Sequence, residues 1–448
     1  MLEAVGICGL VIAVVSGLYL IARRPLLRLL VFVGGAMVVL QSSAGVSAPK
    51  LGYFALVLLC FGISLSRLRL LKQSMWWPAF RLPLLGAAVL FVLIGLVAVG
   101  SLVSGADSAQ VARDSLTYVL IAVAPVIGLD AASVSTSRGA GVSTVILAGI
   151  ASVGFATFWL AERQVSTIGV DRIVLSSMML SGIGAIAGLV KGLTPRLNLP
   201  WLAFGIFCLC CVLVTGTRTG LILLIALLGA VGARRKYRIP IVPLASGLVG
   251  IALVVYMLLP IISAQVASAT FFQARLETLS NVFAGGVSAD ASGEIRQRAY
   301  EYALEIWGKN PLFGVGFGYS FPNPNPSLGD ADFQLDTPIL YLAKFGLIGT
   351  IVIAGALVLL ATASFRIHRE LGLWSAEQTV FRTFVFVWLL ILPFGTPTED
   401  KGFALALCLT FLMLGSSARE WAERDTREAW ATAAISRFPR DVEPPSVN

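Results

Sequence analysis

The chain has 448 residues, 57% of them apolar and only 13% charged, with a net charge of +9 and a mean hydropathy of +0.88. Soluble domains carry about a quarter charged residues, so a water-soluble globular enzyme is excluded. The positive surplus gathers in loops between apolar runs and gives no case for nucleic acid binding.

Apolar runs long enough to cross a bilayer recur along almost the whole chain. They are continuous, not alternating, which argues for helices over a barrel. The fold class is therefore an all-α polytopic membrane protein. About thirteen spans are predicted (a range of 12–14), at 4–22, 29–46, 51–65, 82–104, 116–132, 143–161, 174–190, 200–216, 219–233, 239–260, 336–365, 380–396 and 402–416.

The first run lacks a basic leader, carries Glu3, and has its arginines behind it. It reads as an uncleaved span with the N-terminus outside. Basic clusters then fall between alternate runs: Arg23, Arg24 and Arg28; Arg67, Arg69, Lys72 and Arg81; Lys191 and Arg196; Arg234, Arg235, Lys236 and Arg238; Arg366, His368 and Arg369. The positive-inside rule assigns these loops to the cytoplasm. The cysteines (Cys8, Cys60, Cys208, Cys210, Cys211 and Cys408) all lie inside apolar runs. They imply no disulfide framework and read as small packing residues.

Arg218 sits at a joint between two spans, in "TGTRTG" (215–220). An arginine at bilayer depth costs several kcal/mol on most scales. At the outer joint it can instead snorkel to the headgroups and meet an anion, with the N-terminus of the next helix aimed at the same anion. The competing role is an interfacial anchor on a lipid phosphate.

Residues 1–260 form the N-terminal block of ten spans. Residues 261–335 form one large hydrophilic loop on the outer face, in which Asp and Glu outnumber Lys and Arg. Such a length predicts helices within the loop. Glu294 to Trp307 reads as an amphipathic helix. Arg296, Tyr300, Ala303 and Trp307 share one face, with Arg298 about 200° round from Arg296. Gly314, Gly316 and Gly318 alternate behind it. They allow either a close backbone approach in a turn or a nest of N–H groups for an anion.

Asp336 lies where the chain re-enters the membrane, and it could cap the helix that follows. Gly346 and Gly349 allow tight helix packing. Residues 336–416 complete the membrane domain. The charged tail 417–448, which ends "EPPSVN", is expected to be cytoplasmic and partly disordered.

The ordered set "TGTRTGLILL", then "RQRAYEYALEIWGKNPLFGVGFG", then a polar residue opening a span with "YLAKFGLIG", resembles the O-antigen ligase and Wzy-type polymerase family. That resemblance implies a membrane glycosyltransferase that takes a glycan carried on a polyprenyl diphosphate. Its setting would be the outer face of the bacterial cytoplasmic (inner) membrane, in O-antigen, exopolysaccharide or capsule synthesis. The partners implied are this donor, a glycan or lipid acceptor, the bilayer, and a chain-length regulator and flippase.

Carried over residue by residue, the resemblance makes Arg218 and Arg296 arginines that hold the diphosphate; for Arg296 the competing role is a salt bridge within the loop to Glu294 or Glu301. Arg172, in "GVDRIVLSSMML", would be a third; an ion pair with Asp171 is its competing role. Ligases of this family have a histidine-asparagine pair opening the span before Gly-x-x-Gly, and here those positions are Leu335 and Asp336. The one histidine of the chain, His368, falls in a loop assigned to the inner face. This departure favours a polymerase over a ligase. Asp336 is then the leading catalytic group, with Glu399 and Asp400 in "GTPTEDKG" the alternatives. No cofactor or metal is expected. A transporter or flippase is the rival class, but the predicted spans are poor in mid-span charge.

Overall fold

The structure is a computed structural model that describes residues 16–40, 47–70, 72, 74–161, 171–193, 197–213, 291–319, 339–373, 375–392 and 401–437. Within a few helix ends, among them 171–178 and 291–299, only the course of the helix is described. The regular elements are α1 (Pro25–Val39), α2 (Ala48–Leu70), a short 3-10 turn (Trp77–Phe80), α3 (Arg81–Val103), α4 (Ser108–Ala132), α5 (Ser137–Ala161), α6 (Asp171–Gly192), α7 (Leu199–Leu213), α8 (Ala291–Lys309), α9 (Leu340–Ala361), α10 (Ala363–Leu371), α11 (Ala376–Ile391) and α12 (Lys401–Arg437).

The described residues are helical, with no strand among them. Six of their helical stretches are long and apolar enough to cross a membrane: 48–69, 77–103, 108–132, 137–154, 340–371 and 402–428. Three shorter apolar helices, at 25–39, 179–192 and 199–212, accompany them. The chain is a multi-pass membrane protein. The predicted spans at 219–233 and 239–260 lie outside the described residues.

Two helices form the centre. The most apolar window of α4 is 100% buried within the protein and that of α12 is 94% buried, against 28% for α2 and α3. So α4 and α12 meet protein all round, while α2 and α3 face outward. The central pair packs backbone to backbone. A Cβ on Gly128 would stand 2.5 Å from the Cys408 carbonyl oxygen, and one on Gly415 would stand 2.7 Å from the Ala132 Cβ. Small residues at a crossing are what membrane helices use to gain contact where lipid gives no hydrophobic drive.

The same device joins α6 to α7. Gly184, Gly188 and Gly192 recur every four residues on one stripe of α6. They lie against Cys208, Gly205 and Leu202 of α7, respectively. Cys208 is buried in that contact, in keeping with a packing role.

The basic residues gather at one end of the bundle. Lys191 Nζ, at the end of α6, lies 2.8 Å from Glu377 at the start of α11. Ser137 donates to Glu420 at 2.7 Å, and Arg366 donates to the Pro78 carbonyl at 3.3 Å. Arg28, however, is not a loop arginine. It lies in the first turn of α1, fully buried, with Nη2 2.5 Å from Asp130 at the foot of α4. Its Nε donates to Ser64 of α2, and Nη1 donates to the carbonyls of Ile21 and Ala22. Ser64 also donates to Asp130. Buried charges persist only when paired and hydrogen-bonded. Here one guanidinium ties together residues 21–22, α1, α2 and α4.

Several boundaries differ from the sequence expectation. α4 starts at Ser108 rather than 116 because Asp107 caps it, accepting from the Gln110 N–H at 3.1 Å. α12 does not stop at 416. It runs on to Arg437, so that part of the tail is helix. Arg419–Glu423 and Arg424–Glu420 pairs at i,i+4 support the extension, as does Arg419 donating to the Ser135 carbonyl. The predicted span 336–365 is in fact two pieces, as described next.

Candidate active site

At the end of the bundle opposite the basic residues, α9 is broken. Gly346 has φ +62° and ψ −172°, which no helix contains. Glycine takes positive φ at little cost. The break opens two carbonyls and two N–H groups, which in an apolar setting need partners. Residues 311–316 supply them one for one. Val315 and Gly316 donate to the Ala343 and Lys344 carbonyls, each at 2.9 Å. Leu347 and Ile348 donate to the Pro311 and Leu312 carbonyls at 2.9 and 3.1 Å. Gly346 lies directly against the Leu312 carbonyl, with no room for a Cβ. The apolar run Leu340–Ala361 therefore reads as continuous in sequence but is two half-helices with another piece of chain set between them.

The next residues lock onto α3 and α4. The Phe317 N–H donates to Ser101 Oγ at 2.8 Å, and the Gly318 N–H donates to Asp114 Oδ2 at 3.2 Å. The Phe317 ring is buried between Tyr118 and Phe345, with centroids 6.0 and 5.4 Å away. Gly314 N–H bonds back to the Asn310 carbonyl at 2.9 Å. Thus each N–H from 314 to 318 already has a protein acceptor. Of the two roles open to these glycines, the structure supports close approach. The anion nest is set aside, because its donors are spent.

Helix α8 seats on the first half of α9. Ala303 and Ile306 pack with Leu340 and Ala343 in a small cluster of their own. Trp307 Nε1 donates to the Pro311 carbonyl at 3.0 Å, where α8 turns into the inserted segment. At the far side of that segment, burial and a hydrogen bond with Tyr319 push the Tyr302 phenol up to about 12.

Of the expected site residues, Arg218, Asp336, Glu399 and Asp400 lie outside the described residues. Arg172 is the second residue of α6. Since Lys191 at the other end of α6 is among the basic residues, the helix course puts position 172 at the same end of the bundle as the broken α9. Arg296 is in α8, which spans 291–309 rather than 294–307. It stands seven positions before buried Ala303, hence on the same helical stripe. The described part of α9 begins beside Ile339, so the capping role considered for Asp336 lies outside the described residues. His368 lies in α10, beyond the far end of α9. By helical rise alone, residues 347–361 separate it from Gly346 by roughly 20 Å.

Sequence reasoning passed over Ser101 and Asp114. The signal for Asp114 was present: an Arg113–Asp114 pair inside the opening turns of an apolar helix, where charge is costly. Among the described residues, no group of three or more His, Cys, Asp or Glu gathers to hold a metal.

The face argument for α8 gives a test. Arg296→Ala is expected to lower activity far more than Arg298→Ala, because only position 296 shares the stripe of Ala303. Glycan transfer by the two purified variants, side by side, checks this. Equal losses would remove the face argument.

Residues 203–354 match the family model described as O-antigen ligase. No curated protein matches the chain. The matched segment holds Arg218, α8 with Arg296, the inserted loop, Asp336 and the break at Gly346. That family implies glycosyl transfer in a membrane, with a lipid-linked glycan as substrate. With residues 203–354 matching the O-antigen ligase family model and apolar helices packed around the described part of that segment, the chain is similar to that family of membrane proteins over this stretch.

Proposed function

We propose that the protein polymerises polyprenyl-diphosphate-linked oligosaccharide repeat units at the outer face of the bacterial cytoplasmic membrane. The observation that carries this is the O-antigen ligase match, which spans both Arg218 and Arg296. In this assignment the broken end of α9 faces outward. The basic end lies in the cytoplasm, as the positive-inside rule requires, with the N-terminus outside and the C-terminus inside.

In the reaction, an acceptor hydroxyl attacks the anomeric carbon of the donor glycan. A new C–O bond forms as the bond from that carbon to the diphosphate breaks. The electron pair leaves with the lipid diphosphate, and the hydroxyl proton passes to a carboxylate or water. Arg218, Arg296 and Arg172 bind the diphosphate. Arginine suits this task because its planar fork donates two parallel hydrogen bonds. Neutralising the developing charge makes the diphosphate a good leaving group. Positioning of the acceptor supplies the rest.

Asp336 orients the acceptor hydroxyl or takes its proton, with Glu399 or Asp400 as substitutes. A free aspartate titrates near pH 4 and is a weak base, so orientation is its main task unless burial raises it. Asp336→Asn is then expected to lower turnover about a hundredfold while donor affinity stays within a fewfold of the parent. Turnover and affinity measured together check this. Normal turnover moves the role to Glu399 or Asp400.

Transfer to a lipid or protein acceptor, the ligase reaction, is the second reading. The position of His368 in α10, at the basic end, weighs against it. The deciding experiment incubates the purified protein with lipid-linked repeat units. Longer glycans and released lipid diphosphate are expected. Substrate that crosses the bilayer unchanged would mark a flippase instead.

A further inference from the structure

At the basic end of the bundle, α9 runs on into α10, and α10 meets α11 at one guanidinium. Arg382 lies six residues past Ala376, the start of α11, which is about 9 Å along the helix. Its Nε donates to Ser364 Oγ, near the head of α10, at 2.7 Å. Its guanidinium carbon stands 4.8 Å from the centre of the Phe365 ring. That ring is 64% exposed. A cation over an aromatic face is attracted by the ring's quadrupole, so Arg382 is held at the edge of the bundle by two contacts.

α10 adds two further arginines. Arg366 donates to the Pro78 carbonyl, which seats α10 on the 3-10 turn, and pairs with Glu370, the acid of α10, at 2.8 Å. Arg369 is exposed and follows Phe365 by four residues, so it neighbours that ring on the same face. Phe365 thus has an arginine from each helix beside it. Apolar side chains continue from there. Val358 precedes Phe365 by seven residues, and Phe386 and Leu389 follow Arg382 by four and seven, so each lies on the same stripe of its helix. All three are exposed. α9 runs toward the basic end, and α11 starts there, at the Lys191–Glu377 pair. Both stripes therefore lead from the arginines toward the middle of the membrane.

We propose that this junction binds an anionic phospholipid of the leaflet at the basic end. Arg369 and Arg382 take its phosphate beside the Phe365 ring, and an acyl chain runs along Val358, Phe386 and Leu389. An arginine fork pairs with two phosphate oxygens at once. Positive charge set this far into a membrane helix is costly, and an anion at headgroup level offsets the cost. A free phosphate would meet the arginines and leave the apolar stripes uncovered. A zwitterionic lipid would cover the stripes and bring its own cation to the arginines. By helical rise, the 19 residues from Gly346 to Phe365 span roughly 28 Å, so this site is separate from the broken end of α9.

The probes are dioleoyl phosphatidylglycerol, dioleoyl phosphatidylcholine, which has the same chains and no net charge, and glycerol phosphate, which has the headgroup and no chains. Native mass spectrometry of the purified, delipidated full-length protein counts the molecules bound. One phosphatidylglycerol is expected to stay bound at concentrations where phosphatidylcholine is lost. Arg369→Gln is expected to weaken its binding about fivefold to tenfold, and Phe386→Ser about fivefold through lost apolar contact. Arg69→Gln removes the same charge from another exposed arginine of the basic end. It is expected to change binding less than about twofold. These side chains are exposed, and an unchanged thermal midpoint without lipid checks that the variants fold. Should Arg369→Gln fail that check, Arg369→Lys, which keeps the charge and loses the fork, replaces it, with a loss of about threefold expected.

Equal retention of phosphatidylcholine would overturn the role of the arginines. An equal loss in Arg69→Gln would show a diffuse positive surface in place of a site. Glycerol phosphate bound as tightly as the lipid would show a site for phosphate alone, and unchanged binding in Phe386→Ser would remove the acyl stripe. Either result overturns the lipid. Glycan transfer plays no part in the readout, so failure of the proposed reaction would leave this test standing.

Discussion

Arg218→Ala and Arg218→Lys are both expected to abolish measurable polymer formation while the protein still inserts and accumulates in the membrane. Losing one preorganised donor at a developing negative charge typically costs about a hundredfold to a thousandfold in turnover. The lysine variant is the informative one. It keeps the positive charge and the reach to the headgroup level but loses the planar fork. Lysine presents a compact ammonium that makes no bidentate pair with a phosphate. The measurement is released lipid diphosphate per unit time by purified protein, with membrane levels as the control for insertion. Near-normal release by the lysine variant would show that a general interfacial charge suffices, and the role as a lipid-phosphate anchor would take over.

Arg28→Ala is expected to be the most destabilising single change among the described residues. It strips the partner from Asp130, which is fully buried and otherwise meets only Ser64 and, at 3.6 Å, Arg67. Removing one half of a buried ion pair costs about 3–5 kcal/mol. It also frees the carbonyls of Ile21 and Ala22 from their donor. The expected result is a large drop in thermal midpoint in detergent and in steady-state level. The double change Arg28→Met with Asp130→Leu tests the cause. Apolar side chains of similar volume often replace a buried pair at no loss, so the double variant is expected to regain most of the stability. Glycan transfer per folded molecule should be unaffected in either, since the cluster stands at the basic end. Stability unchanged in Arg28→Ala would show that Arg67 can take over the pairing.

Arg28 also shows what a sequence discloses and what it hides. The class of fold, the helices α3, α5, α6 and α7, and the end of the bundle where the basic residues gather were legible. Each rests on local signals: apolar length, and the placing of arginine and lysine between runs. Arg28 carries the same letter as Arg23 and Arg24, five and four residues before it. Only the arrival of Asp130, about a hundred residues on, makes it a core residue. The break in α9 is hidden for the same reason. "YLAKFGLIG" is apolar and helix-compatible throughout, and Gly346 reads as a packing glycine. What turns it into a break is a segment some thirty residues earlier whose own backbone bonds fit the gap. At the site, the sequence singled out the glycines of 314–318 but left two roles open. The acceptors that decide between them, Ser101 and Asp114, lie 216 and 204 residues away in the chain.

That separation has a consequence for how the protein is made. Ser101 and Asp114 leave the ribosome long before their partners exist. At about 5–20 residues per second, the wait for Phe317 and Gly318 is on the order of 10–40 s. Through that interval α4 is committed to the membrane with a carboxylate near its head and no loop to hold. The inserted segment, made some thirty residues before the break in α9, cannot seat until that helix is there to receive it, and only their meeting satisfies the α9 backbone. Closure of this region is therefore a late event that joins the first third of the nascent chain to the last. A chain stalled or truncated between α8 and α9 would hold its early helices in place and still lack a finished site.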